Sequence, residues 1–268
     1  MEKYMIICSE LIKILEAFAP LSLAESWDNC GLLIGDPKQQ ISCILVTLDV
    51  TMTVAQEAVQ NGAQFIVSHH PVIFKAMSSI RTDTSNGALI HYLIQNNISV
   101  YAAHTNLDSA EGGLNDFVAS QMGMSALSVL MPLPNDSNAG LGRIGDIQQP
   151  ISVEALARNV KASLHAKNVR VIGELSKMVQ KIAFVSGGGA DYILQAKQKG
   201  ADVYITGDTR HHHLLQAAQL DLVLIDAGHY DTEKQVRDLL QNFLSEKLSR
   251  QGVQVLQSNV ERNLSITI

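Results

Sequence analysis

The chain has 268 residues, 46% of them hydrophobic and 17% charged, and 26 acidic against 20 basic side chains give a formal charge of −6 at pH 7. That balance disfavours non-specific binding to nucleic acid or anionic membranes, which draws on clustered Lys and Arg, and the apolar content argues against long disordered tails. The length suits one large domain or two smaller ones, and the compositional oddity is nine histidines against three cysteines.

In chain order, Met1–Pro20 is broken up by Glu2, Lys3, Glu10, Lys13 and Glu16, so no signal-peptide core is expected there. No later stretch approaches the ~18 apolar residues of a membrane span. Cys8, Cys30 and Cys43 form no CxxC pair, which points to a reducing, cytoplasmic setting without a thiolate zinc site. Cys8–Phe18 reads as a helix. Trp27–Gly35 reads as a turn and a short strand, with Trp27, the single tryptophan, expected in the core. Strands at Ile41–Leu48, Gln64–Val67 and Ser99–Ala103 then alternate with helices at Thr51–Asn61, Gly87–Asn96 and Gly113–Met122.

Met131–Gly145, with two prolines, three glycines and a run of Asn, Asp and Ser, is the most loop-like stretch. It suggests a division into an N-terminal α/β lobe (1–128) and a C-terminal α/β lobe (129–268), with 222–268 expected to pack back on the first. A long functional loop is the equally physical reading. Beyond it lie strands at Asn168–Gly173, Ile182–Ser186, Asp202–Thr206, Leu222–Asp226 and Val253–Gln257. Helices are expected at Val153–Leu164, Tyr192–Lys199, His212–Gln219 and Thr232–Ser249. Nearly continuous apolar strands followed by helices predict an α/β fold, with mainly parallel or mixed sheets flanked by helices.

Three of these strands run into histidine at their carboxyl ends: Phe65–His70, Val100–Asp108 and Val223–His229. Sites in open parallel sheets collect outside the carboxyl ends of strands, so the three segments are candidates for one crevice. Imidazole with carboxylate suits Zn, Fe, Mn or Ni. Counting back by turns from the apolar positions Val236, Leu239 and Leu240 places Glu233 and His229 one turn apart on one helix face. A buried glutamate beside histidine is costly unless its charge is compensated, and a metal would do so. His69 and His70, being adjacent, should point to opposite sides of an extended chain. Each would then serve a different ion of a pair, with Asp108 and Glu233 as bridging candidates. One histidine at a strand end is more often a hydrogen-bonded core or rim residue. Recurrence at three strand ends, with a His-x-x-x-Glu register, favours metal. His91 and His165, each alone on a helix, read as structural.

Two further segments have blander readings. In Thr206-Gly207-Asp208-Thr209-Arg210-His211-His212-His213, Asp208 is expected to cap the following helix, and at most one or two of the three rings can share a face. Gly187-Gly188-Gly189 lacks both the Walker A lysine and the GxGxxG spacing, so a tight strand-to-helix turn is favoured over a phosphate site.

Taken in order, Trp27–Gly35, Ser68-His69-His70-Pro71 with Phe74, His104–Asp108, Gly140–Gly145, Thr206-Gly207-Asp208 with His212, and Gly228-His229 with Glu233 resemble the NIF-three-like family, known as GTP cyclohydrolase I type 2 homologues. The resemblance implies two α/β lobes with a metal site between them. It implies two divalent ions per chain, of unspecified identity, held by His69, His70, Asp108, His229 and Glu233. His104 and His212 match positions near the site and are candidates for acid–base or substrate-orienting roles. It also implies a toroidal homohexamer. Cys30 departs from the residue expected at its position. The expected function is a metal-dependent hydrolase acting on a small molecule, with a nucleotide, GTP by the family's name, as candidate substrate. The alternative is a non-catalytic metal-binding ring: a metal store, metallochaperone or interaction scaffold.

Overall fold

A computed structural model describes residues 5–265 and shows a mixed α/β protein, with sheets flanked by helices. The chain forms two units: one comprises the chain up to Leu107 together with the chain from Val236 on, the other Asp108–Gln235. The first crossing falls inside the short helix Thr105–Ser109, the second just after the helix His229–Glu233. The sequence placed its division at 128/129, in a stretch that is instead an antiparallel hairpin of strands Ser125–Leu133 and Asp136–Ser152. The glycines read there as loop formers are strand positions. Gly140, at φ +142°, packs so tightly that a Cβ would lie 2.1 Å from the Met131 carbonyl oxygen.

In the first unit a five-stranded sheet has the order Gln254–Gln257, Cys43–Thr47, Phe65–Ser68, Ser99–Ala102, Gly31–Ile34. All neighbours are parallel except the last strand, which is antiparallel to Ser99–Ala102. The three central strands are buried at every position. Strands covered on both faces cannot alternate polar and apolar residues, which is why they read as apolar runs. Thr47, Ser68 and Ala102 are level across the sheet, so the segments that follow them emerge side by side. Helix starts are sealed by side chains: Thr51 accepts from the Val54 amide and Thr84 from the Gly87 amide. The segment that follows Gln254–Gln257 is also fixed here. Buried Glu57 accepts from the Ser258 hydroxyl at 2.6 Å and the Asn259 amide at 2.8 Å.

The second unit carries a six-stranded mixed sheet, ordered Ser125–Leu133, Asp136–Ser152, Met178–Phe184, Val203–Thr206, Val223–Asp226, Arg170–Ile172. Its parallel centre is Met178–Phe184, Val203–Thr206 and Val223–Asp226. Arg143, only 2% exposed, anchors the hairpin. Its guanidinium donates five hydrogen bonds: two to Asp116 (2.6 and 2.7 Å) and one each to the carbonyls of Gly140, Gly142 and Ala110. The Gly140–Gly145 motif is thus a structural signature of this hairpin.

The helix expected over Thr232–Ser249 is two helices, His229–Glu233 and Val236–Lys247, and Val236, Leu239, Leu240 and Leu244 of the second are buried as the periodicity requires. The remaining predicted strands and helices lie within a few residues of those observed.

Candidate metal centre

The three histidine-bearing strands fall on two sheets, Phe65–Ser68 and Ser99–Ala102 on one and Val223–Asp226 on the other. In the first unit, His69 and His70 follow Ser68 after the regular strand has ended, and His104 follows its neighbour Ser99–Ala102. The chain bends there: the His69 amide donates to Thr47, the His70 amide to Leu48, and the Ser68 hydroxyl reaches over to the His70 carbonyl at 2.9 Å. The opposite-sides expectation for the adjacent pair therefore fails, because it assumed an extended strand. The His69 and His70 ring centroids are 5.2 Å apart, and the His104 ring lies 5.1 and 5.5 Å from them. Each of the three offers a ring nitrogen within 4.8 Å of the others. His104 is therefore as well placed as a ligand as the two histidines to which the resemblance assigns that role.

Each ring is oriented from its Nδ1 side. His69, fully buried, donates to the Ala103 carbonyl at 2.7 Å. His70 pairs with Asp49 at 2.8 Å and His104 with Asp28 at 2.8 Å. A proton on Nδ1 fixes the neutral tautomer whose Nε2 bears the lone pair, the arrangement that metal-ligating histidines adopt. Asp28 is itself held firmly, accepting from the Asn29 and Thr105 amides, the Thr105 hydroxyl and the Cys30 thiol. Burial raises its pKa, but hydrogen bonds from His104, Thr105 and Cys30 outweigh that and hold the carboxyl well below the usual range. Burial, and donation to Asp28, push the Cys30 thiol up to about 11.

In the second unit, the segments leaving Phe184, Thr206 and Asp226 carry Gly187–Gly189, Asp208 and His229. His229 opens its helix and pairs one turn on with Glu233, Nε2 to Oε2 2.9 Å, in the register expected from the sequence. Its Nδ1 meets Asp208 at 2.8 Å. Asp208 is thus a histidine partner, not the expected cap. The cap position belongs to Arg210, whose amide donates to His213 Nδ1 at 3.0 Å. Burial lowers the His229 pKa, but Glu233 and then Asp208 override it and bring it up to about 9. Glu233, 4% exposed, lies against the glycine run: a Cβ on Gly187, which sits at φ +61°, would fall 2.0 Å from its Oε1. The run serves as a turn, as expected, and its bareness makes room for the carboxylate. Asp108, 6% exposed, accepts from the Ser186 hydroxyl at 3.1 Å.

His212 is exposed on the helix His211–Gln219 with its ring 4.0 Å from His213, and no donor group among the described residues includes it. Trp27 is not in the core: it is 58% exposed and its ring lies 6.2 Å from His104. The sequence reading missed Asp28, Asp49 and Asp208. Asp49 and Asp208 each lie two residues beyond the end of a core strand, the same placement that singled out the histidines.

No ligand thiolate is needed by this donor set. Nitrogen and carboxylate donors, with rings pre-set by carbonyls and carboxylates, fit a borderline divalent ion. A family model described as Duf34/NIF3 (NGG1p interacting factor 3) matches residues 6–264. Among curated relatives, a GTP cyclohydrolase 1 type 2 homolog of Clostridium perfringens is 40% identical over 240 residues, covering 90% of this chain and 92% of its own. One from Clostridium acetobutylicum is 36% identical over 257 residues, covering 94% and 96%. The solved structure of a Bacillus cereus protein related to NIF3 is similar with a TM-score of 0.91 at 29% identity, covering 98% and 99% of the two chains. Reduced HcgD from Methanocaldococcus jannaschii is similar with a TM-score of 0.82 at 32% identity, covering 96% and 100%.

Proposed function

The chain belongs to the Duf34/NIF3 family, and from that premise we propose that it binds two divalent metal ions through His69, His70, Asp108, His229 and Glu233 and acts as a metal-dependent hydrolase. The observation that carries the metal reading is the uniform treatment of the imidazoles. His69, His70, His104 and His229 each have Nδ1 against a carbonyl or a carboxylate. One buried imidazole needs such a partner in any case; four rings all held from the Nδ1 side are the pattern that a ligand set requires. Zn, Fe, Mn or Ni would each suit the donors.

A bound pair of divalent ions supplies Lewis acidity and an activated water. The chain's own residues supply the rest. Asp28 holds the His104 ring from its Nδ1 side and leaves Nε2 as the working atom, so His104 is the acid–base candidate. His212, on an exposed helix face, is the substrate-orienting candidate. The names of the relatives point to a nucleotide substrate, GTP in the first instance. A homohexamer and a cytoplasmic location belong to the same reading. No helix among the described residues is long and apolar enough to cross a membrane, and the three cysteines are free.

Combining Glu233→Ala with His70→Ala should abolish bound metal on elemental analysis while leaving the circular dichroism unchanged; an unchanged stoichiometry overturns the ligand set. Turnover of a nucleotide and phosphoester panel is then compared between metal-loaded wild type and Asp108→Ala. Loss of activity in the variant supports the hydrolase. Equal activity in both assigns the turnover to a contaminant and leaves a metal store, metallochaperone or scaffold.

A further inference from the structure

The first unit carries a feature that metal binding does not use. Trp27 and Phe74 are 58% and 48% exposed, and their rings touch at 5.9 Å between centroids, inclined by 60°. Isolated apolar side chains on a surface are ordinary, but two large aromatic rings in contact beside a polar cluster are a mark of a binding surface. Their placement is enforced. Asp28, the next residue after Trp27, is fixed by Thr105, and the Asn29 side chain donates to the Ile73 carbonyl at 2.5 Å, tying the Trp27 turn to the segment that bears Phe74. The same Asp28 orients His104, whose ring meets Trp27 edge to face at 6.2 Å. The aromatic pair and the imidazoles are thus set by one hydrogen-bonded turn.

Phe74 also lines a cavity of about 520 Å³ together with His70 and Asp49, a volume in the range of small-molecule sites. Lys75 brings an ammonium to this cavity, Asn86 an amide that can both donate and accept, and Met77 an apolar wall. Aromatic faces take up planar rings, an amide reads a ring edge, and an ammonium pairs with an anion.

We propose that Trp27, Phe74 and the cavity beside His70 form a binding site for a planar heteroaromatic ring bearing an anionic group. This adds to the hydrolase reading the place where the ring and the anion of its substrate would bind, and rests on that reading only for the claim that the reacting atom faces the imidazoles. Binding itself needs no turnover.

Because Trp27 is the only tryptophan, its fluorescence reports this site alone. The probes are the four common nucleoside 5′-monophosphates and nicotinate, with ribose 5-phosphate as the ring-free control, titrated into chelated and metal-loaded protein. At least one ring-bearing anion should quench Trp27 saturably and ribose 5-phosphate should not. Phe74→Ala should weaken that binding at least about fivefold, the lower end of what one aromatic stack contributes. Lys75→Gln should weaken a monophosphate more than its nucleoside. Absence of quenching by every probe at millimolar concentration overturns the proposal, as does full affinity in Phe74→Ala. A Trp27 emission that is already blue-shifted and moves with protein concentration assigns the pair to a contact between copies and overturns it too. Metal content of the same samples is measured separately. Quenching without metal sinks only the metal reading, and metal without quenching sinks only this one.

Discussion

Arg143→Met tests the claim that a single buried guanidinium holds the second unit's hairpin. The substitution keeps an apolar stem of similar reach and deletes five donors. Three carbonyls lose a charged partner, and hydrogen bonds to charged groups are each worth about 1.5–3 kcal/mol. Asp116, whose side chain is 23% exposed, recovers part of its loss from water. Because the five bonds share one group they do not add, and the expected cost is about 3–5 kcal/mol, the range for breaking a buried ion pair from one side. That is a fall of roughly 10–20 °C in Tm for a unit of this size. Urea unfolding followed by circular dichroism should show a lower midpoint with an unchanged slope. Arg143→Lys, which keeps the charge but not the planar fork, should fall between the two. A loss under about 1 kcal/mol for Arg143→Met would refute the reasoning, because well-packed apolar replacements cost that little only where the pair contributed nothing net.

Two other predictions concern protons. With the Cys30 thiol at about 11, roughly one molecule in a thousand is thiolate at pH 8. Iodoacetamide labelling of native protein, read by peptide mass, should therefore be far slower at Cys30 than in urea and faster in Asp28→Asn; equal native and denatured rates would contradict the Cys30–Asp28 bond. His229 has a folded pKa of about 9 against the ordinary 6.5. A raised folded value means that its contribution is fully present below about 6.5 and is lost as pH rises through 9. Chelated protein should accordingly show Tm declining across that window, with a shallower decline in Asp208→Asn. A flat Tm profile would show that His229 is not paired as described.

The central strands of both sheets were legible because burial on two faces leaves a run of apolar residues that no other element imitates at that length. The His229–Glu233 pair was legible for a related reason: the apolar period of the following segment fixes which residues lie one turn apart. What escaped was whatever depended on a partner distant in sequence. Asp28 orients His104 across 76 positions, and nothing local to either residue announces it. Asp208 carries the composition of a helix cap, yet its backbone at φ +54° turns the carboxylate toward His229. His69 and His70 were read with the alternation of a strand that had already ended at Ser68. Met131–Gly145 has the residues of a loop because a tight hairpin leaves no space for side chains at Gly140. Trp27 was misplaced by the ordinary statistics of tryptophan burial.

The second unit interrupts the first, and this sets an order for biosynthesis. Asp108–Gln235 is continuous and emerges whole, so it can close while the chain is still being made. The sheet that positions His69, His70 and His104 takes its edge strand from Gln254–Gln257, which can pair with Cys43–Thr47 only after the whole of Asp108–Gln235 has been added. Glu57 then fastens Ser258 and Asn259. The sheet beneath the imidazole cluster is therefore completed after the second unit, although its histidines are translated before that unit. A nascent polypeptide stalled before residue 254 would present these histidines without the edge strand of the sheet that positions them.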